Sequence, residues 1–328
     1  MTEVKKMKIL YAGSPEPSRK TLEILFENQK KYGFEIVGVL SNPPSAKGRH
    51  KELTPTPVAQ FALEKNIPVF TPEHLDSAVR EEVSSLNAEL LVCFAYGHIF
   101  GPKFLAMFPY GGINLHPSLL PKYRGCTPVP AAILNGDKET GITIQTLSLK
   151  MDEGDILAQR IVKLDGSETT ESLLNESAEI GAELICEVIQ SANKAGKLPE
   201  GVKQSGEASY TNIIKKEDGK IDWSLPARKI EAKIRAYFPE PGCWTLENNQ
   251  PLRILCSKVL SDDEKTGAGD FSAEPAGKVV CYSKAEGIFI KTGKGLLCVT
   301  ELQRQGKNKM NYKDFMNGAR NFVGTVLQ

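Results

Sequence analysis

Short apolar runs punctuated by glycine and proline organise most of this chain. Residues 7–13 are nearly all apolar and run into Gly13-Ser14-Pro15, which predicts a buried strand followed by a helix to about Lys31. Residues 34–40, 67–70, 88–94 and 112–115 read as further strands, and residues 142–149 and 156–164 alternate with the two-residue period of a strand. Between them, Thr56-Pro57-Val58 and Thr71-Pro72-Glu73 resemble helix entries, where the missing proline N–H costs nothing. Residues 169–195 have the apolar spacing of a long helix. Strands that alternate with helices and are apolar on both faces imply an α/β domain with a mostly parallel sheet.

The pattern changes near Leu198. Residues 199–208 form a polar, glycine-containing connector. Beyond it, short strand-like runs at 252–259, 277–281, 287–292 and 296–301 are separated by glycine-bearing turns, with helix candidates at 222–237 and 311–317. This predicts a small β-barrel-like domain over 209–328 behind an N-terminal domain over 1–198. Residues 41–57 read as a polar loop with four prolines and the basic cluster Lys47, Arg49, His50 and Lys51; residues 261–274 read as a mobile acidic loop.

Composition narrows the class. With 41% apolar and 25% charged residues, the chain is an ordinary globular one, and it contains no apolar run long enough to span a bilayer. No signal peptide precedes the first strand, so a cytoplasmic protein is expected. Seven cysteines without a CxxC pair argue for reduced thiols rather than a disulfide scaffold or a zinc site. Charge is uneven: residues 209–328 carry 19 Lys/Arg against 14 Asp/Glu, the remainder 22 against 26. A solvated face explains this as well as a polyanionic partner does.

The candidate chemistry lies in Gly112-Ile113-Asn114-Leu115-His116-Pro117-Ser118-Leu119-Leu120-Pro121-Lys122-Tyr123-Arg124-Gly125. Strand alternation places Asn114 and His116 on one side, at the carboxyl end of a strand, where open α/β sheets bind ligands. The acidic turn Lys150-Met151-Asp152-Glu153-Gly154-Asp155 follows the next strand, so Asp152 or Asp155 could reach His116. No nucleophile elbow, metal-ligand spacing, dinucleotide fingerprint or phosphate-loop lysine is present. Acid–base and oxyanion chemistry remains. An imidazolium and an amide can donate to a developing oxyanion, and a nearby carboxylate is the simple way to keep the imidazole charged.

Asn114-x-His116, Ser118-Leu119-Leu120-Pro121-Lys122-Tyr123-Arg124-Gly125 and Met151-Asp152-Glu153-Gly154 together resemble the signature of the folate-dependent formyltransferases. The resemblance implies a Rossmann-like domain followed by an OB-like β-barrel domain, 10-formyltetrahydrofolate as donor, no metal, and Asn114, His116 and Asp152 as the catalytic trio. It selects Asp152 over Asp155. It places folate against the Ser118, Leu119, Leu120, Pro121 turn and the loop carrying Phe94, Tyr96 and Gly97. Chain length, the loop with Gly48-Arg49, the segment Lys215 to Trp223, and Arg235-Ala236-Tyr237 with Pro239 and Pro241-Gly242-Cys243-Trp244 point to the branch whose acceptor is the amino group of initiator methionyl-tRNA. That branch implies a monomer, and acceptor-stem contacts from Arg49, Lys47 and Lys51. The alternative acceptor is a nucleotide-linked amino sugar. Pro17, Pro44-Ser45 and His50 depart from the family's usual residues and bear on the loop contacts, not on the trio.

Overall fold

The computed structural model describes residues 6–47, 52–260 and 271–328. Two compact units are present, the first formed by residues 1–128, 139–163 and 174–211, the second by 129–138, 164–173 and 212–328.

The first unit is built on a seven-stranded sheet. Its strands are β1 (Met7–Gly13), β2 (Phe34–Leu40), β5 (Val69–Phe70), β6 (Leu90–Phe94), β7 (Gly112–His116), β9 (Glu139–Thr146) and β10 (Ile156–Lys163). Two short hairpin strands, β3 (Ser45–Lys47) and β4 (Glu52–Thr54), pair outside it, and β8 (Arg124–Gly125) pairs in parallel with β11 (Tyr210–Thr211). The sheet order is β10-β9-β7-β6-β1-β2-β5, parallel from β7 to β5 and antiparallel at β9 and β10. From β1 the chain first builds outward through β2, then crosses to β6 on the other side. The carboxyl ends of the parallel strands around this switch form the natural ligand crevice. Leu10, Leu91, Val92 and Ile113 have no solvent exposure, as expected for strands covered on both faces.

Helices α1 (Glu16–Tyr32), α2 (Pro57–Glu64), α3 (Ser77–Ser84) and α4 (Pro102–Leu105) belong to this unit. The Thr56 hydroxyl caps α2 by accepting from the Ala59 N–H at 3.1 Å. The helix expected at Thr71-Pro72 begins instead at Ser77, because Asp76 supplies the side-chain cap, accepting from Val79 N at 3.1 Å. The polar loop over 41–57 contains the β3/β4 pair. Helix α5 (Pro128–Asn135) was not foreseen, since its prolines mask the helical spacing. Helix α6 (Thr170–Ala195) follows β10, and its Gly181 lets Leu115 of β7 pack directly on it.

The second unit holds α7 (Ala227–Ala236) and an antiparallel sheet. Its strands are β12 (Cys243–Glu247), β13 (Gln250–Val259), β14 (Val279–Ser283), β15 (Gly287–Lys291) and β16 (Leu296–Arg304), in the order β12-β13-β16-β15-β14, with β17 (Met310–Asn311) on β16. Helix α8 (Tyr312–Gly318) comes next. The last residues then close the sheet towards a barrel. Leu246 and Gln328 exchange backbone hydrogen bonds of 2.8 and 3.1 Å, while Leu327 N donates to Gly277 O and Val279 N to Thr325 O. The chain terminus therefore links the β12 edge to the start of β14, removing two open edges.

Candidate active site

Strand β7 delivers Asn114 and His116 to one face, two residues apart, as alternation requires. Its antiparallel neighbour β9 places Gln145 opposite Asn114 and Thr143 opposite His116. The result is a polar strip, while the intervening Leu115 turns to α6. Thr143 braces the motif: its hydroxyl donates to the Ser118 carbonyl at 2.6 Å and accepts from Gln159 Nε2 at 2.8 Å. Ser118 is buried, and its hydroxyl donates to the Lys122 carbonyl at 2.6 Å.

The turn after β9 carries Asp152 back to this strip. Asp152 Oδ1 lies 3.5 Å from His116 Nδ1 and accepts from Gln145 Nε2 at 2.8 Å; Oδ2 accepts from the Gly125 N–H at 2.8 Å. Asp155 faces away and pairs with Lys203 at 2.9 Å. Two backbone requirements shape the turn. Asp152 itself adopts a left-handed φ of 54°, and a Cβ on Gly154 would overlap the Thr146 carbonyl oxygen.

His116 is 4% exposed. Its Nε2–H donates to the Tyr123 carbonyl at 2.9 Å, and its Nδ1 faces Asp152 Oδ1. Burial pushes the imidazole below its usual value, outweighing the opposing pull of Asp152 and of the Tyr123 carbonyl. The carboxylate expected to favour the charged imidazole is in place, and burial opposes its pull more strongly. Asn114 differs from both partners. It is half-buried, and its side-chain amide makes no hydrogen bond among the described residues. Cys93, opposite Asn114 on β6, is no competing nucleophile, since burial raises its thiol to about 12.

The structure separates the expected folate contacts into two kinds. Leu119 and Pro121 remain partly exposed, whereas Ser118 and Leu120 are buried. Phe94 and Tyr96 are 3% and 1% exposed, and Tyr96 stacks on Phe100 at 5.5 Å within the core. The rings of Phe94 and Tyr96 are therefore packed away, and this loop offers a ligand backbone groups around Ala95 and Gly97, both at positive φ, and the exposed side chain of Ile99. Arg49 and Lys51 lie outside the described residues, as does the side chain of Lys47.

Sequence reasoning missed Gln145 and Gln204. The former sits unremarkably in an alternating strand. The latter lies in the connector, yet its Nε2 donates to the carbonyls of Asp152 and Gly154, both at 2.8 Å. A surface depression lined by Lys8, Glu35, Val83, Glu89 and Phe108 lies at the opposite end of the strands and contains none of these groups. Among the described residues no cluster of His, Cys, Asp and Glu could hold a metal ion, and no helix is long and apolar enough to cross a membrane.

Comparison with known proteins gives this geometry a context. Residues 6–189 match the model of the formyl transferase family, and residues 213–320 match the formyl transferase C-terminal domain. The methionyl-tRNA formyltransferase of Treponema denticola is 45% identical over 97% of this chain and 98% of its own length. That of Roseiflexus castenholzii is 40% identical over 96% of each. Among solved structures, methionyl-tRNA formyltransferase from Clostridium thermocellum superposes with a TM-score of 0.56 at 20% identity, covering 77% of this chain and 94% of that one. HypX from Aquifex aeolicus reaches 0.67 at 15% identity; this chain, covered over 98%, spans about half of that longer protein. Likeness at such identities speaks to the fold, but the curated relatives match end to end: the chain belongs to the formyl transferase family, among its two-domain methionyl-tRNA formyltransferases.

Proposed function

We propose that this protein acts in the cytoplasm, as a monomer, to transfer the formyl group of 10-formyltetrahydrofolate to the amino group of initiator methionyl-tRNA, with Asn114, His116 and Asp152 carrying the chemistry. The observation that carries the reading is the pairing of buried His116 with largely buried Asp152 beside the uncommitted amide of Asn114. Partly exposed Leu119 and Pro121 and the backbone of residues 95–97 support this reading, since they can offer an apolar and hydrogen-bonding edge to a flat ring.

Folate supplies an activated formyl carbonyl. Attack by the amine places negative charge on the formyl oxygen and a surplus proton on the nitrogen. The Asn114 amide is free to donate to that oxygen. The His116–Asp152 pair suits the other task. Nδ1 of His116 and Oδ1 of Asp152, 3.5 Å apart, are two basic atoms that can share the proton released by the amine. Asp152 then stabilises the imidazolium, as a carboxylate does in a hydrolase triad. The new nitrogen–carbon bond forms, the bond to the folate nitrogen breaks, and that nitrogen takes the proton back. Ser118, Leu119, Leu120 and Pro121 position the donor. Arg49, Lys47 and Lys51 contact acceptor-stem phosphates, which position a nucleic acid without reading its bases.

The test is to incubate the protein with 10-formyltetrahydrofolate and charged initiator tRNA, then release the amino acid and weigh it. Formylmethionine should form, faster than with charged elongator tRNA. Formylation of a nucleotide-linked amino sugar without formylation of the tRNA would overturn the reading.

A further inference from the structure

We propose that Gln204 is a positioning residue for formyl transfer, a cross-tie between Arg124 and the backbone of the Asp152 turn that keeps the Asp152 carboxylate against His116. The proposal rests on the roles given above to Asp152 and His116.

Asp152 adopts a conformation that a residue with a side chain rarely chooses, with φ at 54°. Something must hold it there. The carbonyls of Asp152 and Gly154 both accept from Gln204 Nε2 at 2.8 Å. At its other end the Gln204 oxygen accepts from Arg124 Nε at 3.1 Å and Nη2 at 2.7 Å, charge-assisted bonds that exceed neutral ones in strength. Arg124 is itself fixed. Its Nη1 donates to Tyr210 Oη at 2.8 Å and pairs with Glu153 at 3.2 Å, while its backbone lies in the β8/β11 ladder.

Gln204 is also held along the chain. Val202 exchanges two 2.8 Å backbone bonds with Ile156, and Ser209 Oγ accepts from the N–H of Tyr123, whose carbonyl holds His116. The connector thus grips both the turn bearing the carboxylate and the loop bearing the imidazole's partner. Side-chain chemistry explains the residue type. Glutamate can only accept and lysine or arginine only donate, whereas an uncharged amide does both at once. The remaining charged groups around the turn are already paired, Lys203 with Asp155 and Lys150 with Glu153.

The experiment compares full-length wild-type protein with Gln204→Glu and Gln204→Met. Glutamate keeps the link to Arg124 and loses both bonds to the turn; methionine keeps the bulk and loses all of them. Both should retain KM for the folate donor within about threefold and lose roughly 10- to 100-fold in kcat, the scale expected when a reacting group is misplaced. In substrate-free Gln204→Met, the NMR titration of His116 should move to lower pH, since a displaced carboxylate supports the imidazolium less. Wild-type kcat in Gln204→Glu, or an unmoved His116 titration in Gln204→Met, overturns the proposal. Should the wild-type protein fail to formylate methionyl-tRNA, the proposed function falls. The His116 titration then decides the cross-tie alone: a downward shift supports it and no shift overturns it.

Discussion

Two loops at one end of the sheet hold residues for different reasons. The end of β6 and the loop after it bury Phe94 and Tyr96, the latter stacked on Phe100, so these aromatic side chains serve packing. The turn after β9 brings Asp152 to 3.5 Å from His116 and commits both carboxylate oxygens to donors from other segments. A buried ring is explained by the area it removes from water. A largely buried carboxylate beside a buried imidazole is costly unless paired, and such pairs concentrate at functional sites. Where both kinds of residue flank a crevice, the polar ones carry the functional signal.

Substitutions can break or sharpen this contrast. The largest effect on rate is expected for His116→Ala, which removes the proton acceptor: kcat should fall by about 10²- to 10⁴-fold, with the thermal midpoint shifted far less than for a core truncation. Equal losses of rate and of folding would remove the distinction between the loops. Phe94→Ala should show the reverse, losing about 3–5 kcal/mol of stability in denaturant titration while the folded fraction keeps its KM for folate. Gly154→Ala lies between them. Its Cβ meets the Thr146 carbonyl oxygen, so about 1–3 kcal/mol should be lost, and kcat should drop as the Asp152 turn is displaced.

The pH dependence is smaller still. Folded His116 holds its proton less tightly than the unfolded residue, whose ordinary value is 6.5. Its contribution to stability is full above that value and is lost as pH falls from there towards the depressed folded value, at up to about 1.4 kcal/mol per pH unit. His116→Gln should flatten that slope in urea titrations between pH 7 and 5. The least effect belongs to Tyr96→Phe. The Tyr96 hydroxyl is buried with no hydrogen-bond partner among the described residues, so removing it should leave stability unchanged or raise it by about 1 kcal/mol.

The sequence was most readable where chemistry and geometry repeat. Unbroken apolar strands announced the parallel sheet, and the i, i+2 spacing alone places Asn114 and His116 on one face. Proline was the main source of error. Thr71-Pro72 imitated a helix start that Asp76 actually provides, and Pro128 and Pro130 hid α5. The sequence shows the carboxylate near His116 but not the burial that opposes its pull on the imidazole. Gln204 was invisible for another reason. Its partners lie about 50 to 80 positions away, and nothing in a polar connector marks the one amide that meets them.

The central claim is that the carboxylate of Asp152, through His116, takes up the charge of transfer. Single-turnover transfer by Asp152→Asn, with folate and methionyl-tRNA saturating, tests it most directly. The account predicts a rate at least about 100-fold below wild type with folate affinity within about threefold. A rate within threefold of wild type would contradict it.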